Sequence, residues 1–332
     1  MTLSESSILI TGGTGSFGKK FVQMTLDKFS PKRIVIYSRD EMKQWDMSSQ
    51  YSTDERVEFV IGDVRDKERL QRSLDGIDYV VHAAATKIVP VAEYNPFECV
   101  KTNINGAMNV IDACIDAGVK KVVALSTDKA SNPINLYGAT KLASDKLFIA
   151  ANPRNSTHET SFAVVRYGNV MGSRGSVIPF FLEQAKTGSL PITDTRMTRF
   201  MITLDQGVAL VWTAFEDMLG GELYVKKIPS MKVVDIATAI APSADQRIIG
   251  IRPGEKIHEQ MISPEDSICT YSYGDYFKIL PMIHDWHLDP CRIKDGSNVK
   301  ADFHYSSDSN DEWMTISELQ AFIELNFRKA KL

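Results

Sequence analysis

At 332 residues, with 43% hydrophobic and 24% charged side chains, the chain can bury a large core as one domain or two intimate ones. A formal net charge of −4 and the lack of a long Lys/Arg cluster argue against nucleic acid as a partner. There is no apolar run of roughly 18 residues and no basic leader ahead of an apolar one, and Cys99, Cys114, Cys269 and Cys291 lack metal-ligand or disulfide spacing. The expectation is a reduced, cytoplasmic protein with no membrane span and no metal.

In chain order, Ile8 to Thr11 is an apolar strand that ends in Gly12-Gly13-Thr14-Gly15-Ser16-Phe17-Gly18, and Lys19 to Leu26 continues as a helix. Gly12, Gly15 and Gly18 are spaced three apart. Glycines there let the backbone turn and approach a pyrophosphate, which rests on the helix N-terminus. Strand, glycine loop and helix together point to a dinucleotide.

The second strand, Arg33 to Tyr37, ends in Ser38-Arg39-Asp40, with Lys43 one turn on. An acid at this strand end holds the ribose 2′-hydroxyl of NAD, whereas a guanidinium suits a 2′-phosphate. Ser38 and Arg39 come first, so the expected cofactor is NADP. Val57 to Ile61 leads to Asp63 and Val64, at the adenine. Tyr79 to His82 runs into Ala83-Ala84-Ala85, small enough for close approach to the cofactor. Strands alternating with helices predict an α/β fold with a Rossmann-type doubly wound parallel sheet.

Lys121 to Leu125 reads as another buried strand and Tyr137 to Ala150 as a helix, so Thr127, Asp128 and Lys129 lie at the strand's carboxyl end, where open α/β sheets bind ligands. Tyr137 and Lys141 share one helix face. Alone, that spacing suits a solvated surface pair equally well. Beside a nicotinamide it suits a base: lowering a phenol's pKa from about 10 by about three units takes roughly 4 kcal/mol, which an ammonium and a cationic ring can supply. Asp128 and Lys129 are either an acid and base pair or a plain ion pair.

After Val164 to Val170 the alternation stops and Gly, Pro and Arg become prominent. The expected division is 1–165 as the NADP-binding domain, with 203–228 returning to it, and 166–202 plus 229–332 as a smaller C-terminal substrate lobe. Arg174, Arg196, Arg199 and Arg252 stand beside turn residues, suited to bidentate contact with a diphosphate. Residues 263–312 show no clear period. Thr315-Ile316-Ser317-Glu318 is a capping box for a last helix, Ile316 to Phe327, in the second lobe or between subunits.

The glycine loop, the Ala83-Ala84-Ala85 turn, Asn103, Thr127 and the Tyr137/Lys141 pair resemble the extended short-chain dehydrogenase/reductase superfamily. More narrowly, Tyr37-Ser38-Arg39-Asp40, Ser126-Thr127-Asp128-Lys129, Asn132 to Lys141 and Arg252-Pro253-Gly254-Glu255-Lys256 are similar to the inverting UDP-N-acetylglucosamine 4,6-dehydratases of pseudaminic acid synthesis. The resemblance implies a homo-oligomer acting on a UDP-sugar. It implies Lys129 as base at C5, Asp128 as acid at C6, Thr127 orienting the 4-hydroxyl, and Tyr137 with Lys141 serving oxidation at C4. Lys87 and Asn103 join the cofactor site, and Lys87, Tyr167, Asn169, Val177, Arg199, Arg252 and Glu255 the substrate site. Near neutral pH this needs Asp128 protonated and Lys129 neutral, each pKa moved toward the other's range. Thr86 and Ile88 depart from the family pattern. A UDP-N-acetylhexosamine 4-epimerase and a non-catalytic NADP-sensing regulator are the other readings.

Overall fold

The strands are short runs rich in Val and Ile without polar alternation, the pattern of a sheet covered on both faces. The computed structural model describes residues 3–152 and 159–328. It contains β1 (Ser7–Thr11), β2 (Arg33–Ser38), β3 (Val57–Ile61), β4 (Tyr79–His82), β5 (Lys121–Leu125), β6 (Ser161–Arg166) and β7 (Leu223–Lys226). These pair in parallel in the order β3-β2-β1-β4-β5-β6-β7, the dinucleotide-binding order with one strand added. Ile8, Leu9, Ile10, Val80, Val81, Val122 and Val123 are fully buried, and each such side chain is worth roughly 1.5–3 kcal/mol.

Three antiparallel strands extend the sheet beyond β7: β8 (Thr270–Ser272), β9 (Tyr276–Ile279) and β10 (Ser297–Asn298), in the order β7-β9-β8-β10. Residues 270–298 thus join the first sheet, although the sequence reading groups them with the second lobe. The helix Leu204–Asp217, opened by a Thr203/Gln206 capping box, packs on the helix Ser16–Lys28. There Trp212 Nε1 donates to Thr25 Oγ1 at 3.3 Å and meets Phe29 edge-on.

The second lobe is built on Thr198–Ile202, paired antiparallel with Ser230–Lys232 and parallel with Asn169–Val170, and on Ser189–Ile192 beside Asp245–Ile248. Ile178, Phe181, Ile192 and Ile236 form its separate core with Leu319 and Ile323 from the last helix. That helix therefore packs inside this lobe. Its Thr315/Glu318 capping box is present, but it is α-helical only over Ile316–Ile323 and continues as a π-helical turn, Glu324–Arg328. No helix among the described residues is long and apolar enough to cross a membrane.

Candidate active site

Register brings the ends of β1 and β2 level, Thr11 opposite Tyr37, so the glycine loop lies against the end of β2. Thr14 Oγ1 and Ser38 Oγ are 2.8 Å apart there. Gly12 has φ +66°, and a Cβ on it would stand 2.9 Å from the Ala84 backbone. A Cβ on Gly18 would lie 2.3 Å from the Gly13 carbonyl oxygen. Gly15, the N-cap of Ser16–Lys28, meets only the Gly12 carbonyl, at 3.2 Å. Its open side and the helix N–H groups suit a pyrophosphate, so the cradle fits a dinucleotide. Ser16 Oγ accepts from the Arg174 N–H at 3.1 Å, and Phe17 stacks between Phe21 and Tyr167.

At the β2 end Asp40 caps the next helix by accepting from the Lys43 N–H at 3.0 Å and pairs with the Lys43 ammonium. Those hydrogen bonds hold its carboxyl below the usual range. Arg39 is largely exposed, 3.6 Å from Asp63. Burial works to raise Asp63, and the bonds from Arg65 more than offset it. Val64 is buried. Thr11 Oγ1 accepts from the Ala83 and Ala84 N–H groups and meets His82 Nδ1 at 2.9 Å; burial keeps that imidazole neutral, its pKa pushed down to about 3. Ala85 and Lys87 are exposed at the end of this turn.

Asn103 lies behind the turn. Its amide bonds both the N–H and carbonyl of Thr86, at 2.8 and 2.9 Å, and the Thr140 hydroxyl at 3.0 Å. It ties the Ala83-Ala84-Ala85 turn to the helix Leu136–Ala150 instead of presenting a free amide.

Past β5 the chain stays paired with the end of β6 and the residue after it: Ser126 N–H donates to Val165 O at 2.7 Å and Asp128 N–H to Tyr167 O at 3.2 Å. The loop is thereby held rigid. Thr127 Oγ1 donates to Asp128 Oδ1 at 2.9 Å, and Lys129 Nζ donates to the same oxygen at 3.1 Å. Tyr137 and Lys141 are buried on the following helix. Burial pushes Tyr137 up to about 12, against the lowering action of Lys129 and the Thr127 hydroxyl; it pulls Lys141 down, opposed by Asp145.

The segment after Arg252 closes over this loop from the second lobe. Asn135 Nδ2 donates to Gly254 O at 2.7 Å, Lys256 Nζ to Ser131 O at 2.7 Å, and Asn132 Nδ2 to Gln260 Oε1 at 2.6 Å. Glu259, 2% exposed, sets Oε1 3.2 Å from Lys129 Nζ. No local spacing in the sequence marks Glu259; its importance comes from a contact with a residue far away along the chain.

Glu259 overturns one expectation. Asp128 is raised, burial being the main cause, as anticipated. Burial lowers Lys129, but Asp128 and Glu259 outweigh it, and Lys129 titrates above the ordinary lysine range. A second buried carboxylate, unforeseen from sequence, keeps it an ammonium.

Of the residues expected to contact substrate, Tyr167 is buried against Phe17, Asn169 lies in its short strand, and Val177 opens the helix Val177–Gln184. Arg252 pairs with Glu255, whose other carboxyl oxygen is buried without a partner. The Arg199 guanidinium is spent on the carbonyls of Thr198, Lys256 and Ile257, at 2.7–3.0 Å, so it braces the closing segment.

A sheet of this order, a glycine cradle on β1, and Tyr137 and Lys141 beside the β5 loop define an extended short-chain dehydrogenase/reductase. Residues 8–281 match the family described as polysaccharide biosynthesis protein. The UDP-N-acetylglucosamine 4,6-dehydratase (inverting) of Campylobacter jejuni subsp. jejuni serotype O:23/36 (strain 81-176) is 56% identical, over 94% of this chain and 96% of its own length. The UDP-glucose 4-epimerase of Rickettsia canadensis (strain McKiel) is 44% identical over 83% of each. The X-ray structure of Pen from Bacillus thuringiensis superposes with a TM-score of 0.90 at 37% identity, over 99% of both chains. The chain belongs to the polysaccharide biosynthesis protein family and, within it, groups with the inverting UDP-N-acetylglucosamine 4,6-dehydratases.

Proposed function

We propose that the chain is an NADP-dependent UDP-N-acetylglucosamine 4,6-dehydratase that inverts C5, yielding UDP-2-acetamido-2,6-dideoxy-β-L-arabino-hex-4-ulose for pseudaminic acid or related deoxysugar synthesis. The observation that carries the reading is the Asp128/Lys129 pair at the end of β5, beside Tyr137. Epimerisation at C4 needs only the removal and return of hydrogen there, whereas elimination of water needs a further base and acid.

In this reading Thr127 orients the 4-hydroxyl and Tyr137 takes its proton, with Lys141 behind it. A nicotinamide cofactor held by the Gly12–Gly18 cradle would supply hydride acceptance at C4 and its return at C6, and its positive charge would offset the burial that raises Tyr137. Lys129 removes the C5 proton acidified by the C4 ketone, and Asp128 protonates the departing C6 hydroxyl. A proton then reaches C5 on the opposite face, which inverts it. The net change is the loss of one water, with no net oxidation.

The exposed Arg39 guanidinium supports NADP, because the neighbouring Asp40 carboxylate is occupied by its cap and by Lys43. The Rickettsia relative keeps a 4-epimerase as the second reading. Proton NMR of the purified protein with the UDP-sugar in D₂O separates them: a new methyl signal with deuterium at C5 means elimination, and ring couplings report inversion. Conversion to the galacto epimer without a methyl signal overturns the reading.

A further inference from the structure

We propose that Glu259 is a positioning residue for this reaction: its carboxylate, reaching in from the second lobe, shares the Lys129 ammonium and so determines which groups of the site carry protons. The inference rests on the dehydratase reading above.

Lys129 Nζ stands between two carboxylates, 3.1 Å from Asp128 Oδ1 and 3.2 Å from Glu259 Oε1. Asp128 is 1% exposed and Glu259 2%. Each also has a second oxygen, Asp128 Oδ2 and Glu259 Oε2, buried without a partner among the described residues. Two buried carboxylates share one ammonium, and the one with fewer other cations close to it takes up a proton the more readily. Glu259 has further cations near it, Arg199 with Nε at 3.8 Å and Lys256, whereas Asp128 has Lys129 and the Thr127 hydroxyl. The proton therefore settles on Asp128, where an acid for the C6 hydroxyl is wanted. Burial and the Glu259 charge both act on Asp128 in that direction. Glu259 itself is held low: burial would raise it, but Lys129 and Arg199 prevail.

Lys129 acts as a base only once its ammonium has lost a proton, and the Asp128 and Glu259 carboxylates together set the pH at which it does so. Without Glu259, Asp128 and Lys129 collapse to an ordinary ion pair holding no spare proton.

The test is Glu259→Gln, equal in shape but uncharged, beside Glu259→Asp, with thermal stability and the pH dependence of kcat measured for both. The groups facing this cluster are Asp128, Lys129, Tyr137, Arg199 and Lys256. Removing a negative charge lowers the pKa of Asp128, so the activity lost as pH rises through it is lost earlier. It also lowers Lys129, so the activity gained as pH rises through it appears earlier. The whole bell therefore moves to lower pH, by on the order of one unit, while kcat falls about 100-fold and KM changes little. Glu259→Asp, drawn back by one methylene, gives a smaller move in the same direction and carries the test if the Gln variant does not fold. A folded variant with reduced kcat and an unmoved pH profile overturns the inference, as does wild-type behaviour. Failure of the wild type itself to form the methyl product is a different result, and sinks the dehydratase reading.

Discussion

Asn135 joins both sides of the candidate site through one amide: its Oδ1 accepts from the Gly138 N–H at 2.7 Å, capping the helix Leu136–Ala150, and its Nδ2 donates to Gly254 O at 2.7 Å. The two roles separate by mutation. Asn135→Ala loses both and costs about 2 kcal/mol in denaturant titration, one hydrogen bond and one cap at about 1 kcal/mol each. Asn135→Asp keeps the cap and loses the donor, so it recovers helix stability without recovering kcat. Wild-type kcat in Asn135→Asp would show that the Gly254 contact is idle.

Asp128→Asn removes a titratable proton from the place where the C6 hydroxyl must leave. The expected result is a loss of about 10²–10⁴ in methyl formation, with reduced-nicotinamide absorbance still appearing on mixing with substrate. Lys129→Ala behaves the same way. Tyr137→Phe abolishes both signals, because it acts at C4. Full turnover in the Asn or Ala variant sinks the assignment of this pair.

Gly15 and Gly18 are predicted to fail differently. Alanine at 18 forces a methyl 2.3 Å from the Gly13 carbonyl oxygen, an overpacking worth about 1–3 kcal/mol that lowers the melting temperature. Alanine at 15 meets only the Gly12 carbonyl oxygen at 3.2 Å, at an ordinary φ of −73°. It leaves the fold intact and blocks the dinucleotide. Thermal melts with and without cofactor distinguish them: Gly18→Ala melts early in both, while Gly15→Ala loses only the shift caused by cofactor.

Arg39→Ala tests the cofactor reading. One charge-assisted contact to a 2′-phosphate is worth about 1.5–3 kcal/mol, so NADP affinity falls roughly 10- to 150-fold while NAD affinity stays level. Direct titration of both cofactors decides it, and a wild type that prefers NAD contradicts the role given to Arg39.

The parts of this molecule legible in its sequence are those in which neighbours along the chain are neighbours in space. Strand, glycine loop and helix at Ile8 to Leu26, the loop after β5, and the Thr315 cap all depend on short spacings. Residues 270–298 were opaque because antiparallel edge strands of two to four residues carry too few side chains for a period to show. The contacts of Glu259 and Asn103 were hidden for a different reason. Their roles follow from contacts with Lys129 and Thr86, and buried charge is balanced by whatever the fold brings near. For the same reason the pKa of Lys129 could not be argued from Asp128 alone.

The clamp on the loop after β5 has a consequence for the order in which the folded protein appears on the ribosome. Glu259 donates its backbone N–H to Ser307 Oγ, and Gln260–Ile262 pairs with Tyr305–Ser306, so the groups that brace Lys129 are themselves braced by residues that emerge well after them. The parallel strands β1 to β6 and the glycine cradle are complete long before that. Because domains generally fold from the N-terminus during synthesis, the nascent chain gains its glycine cradle before the charge cluster around Lys129.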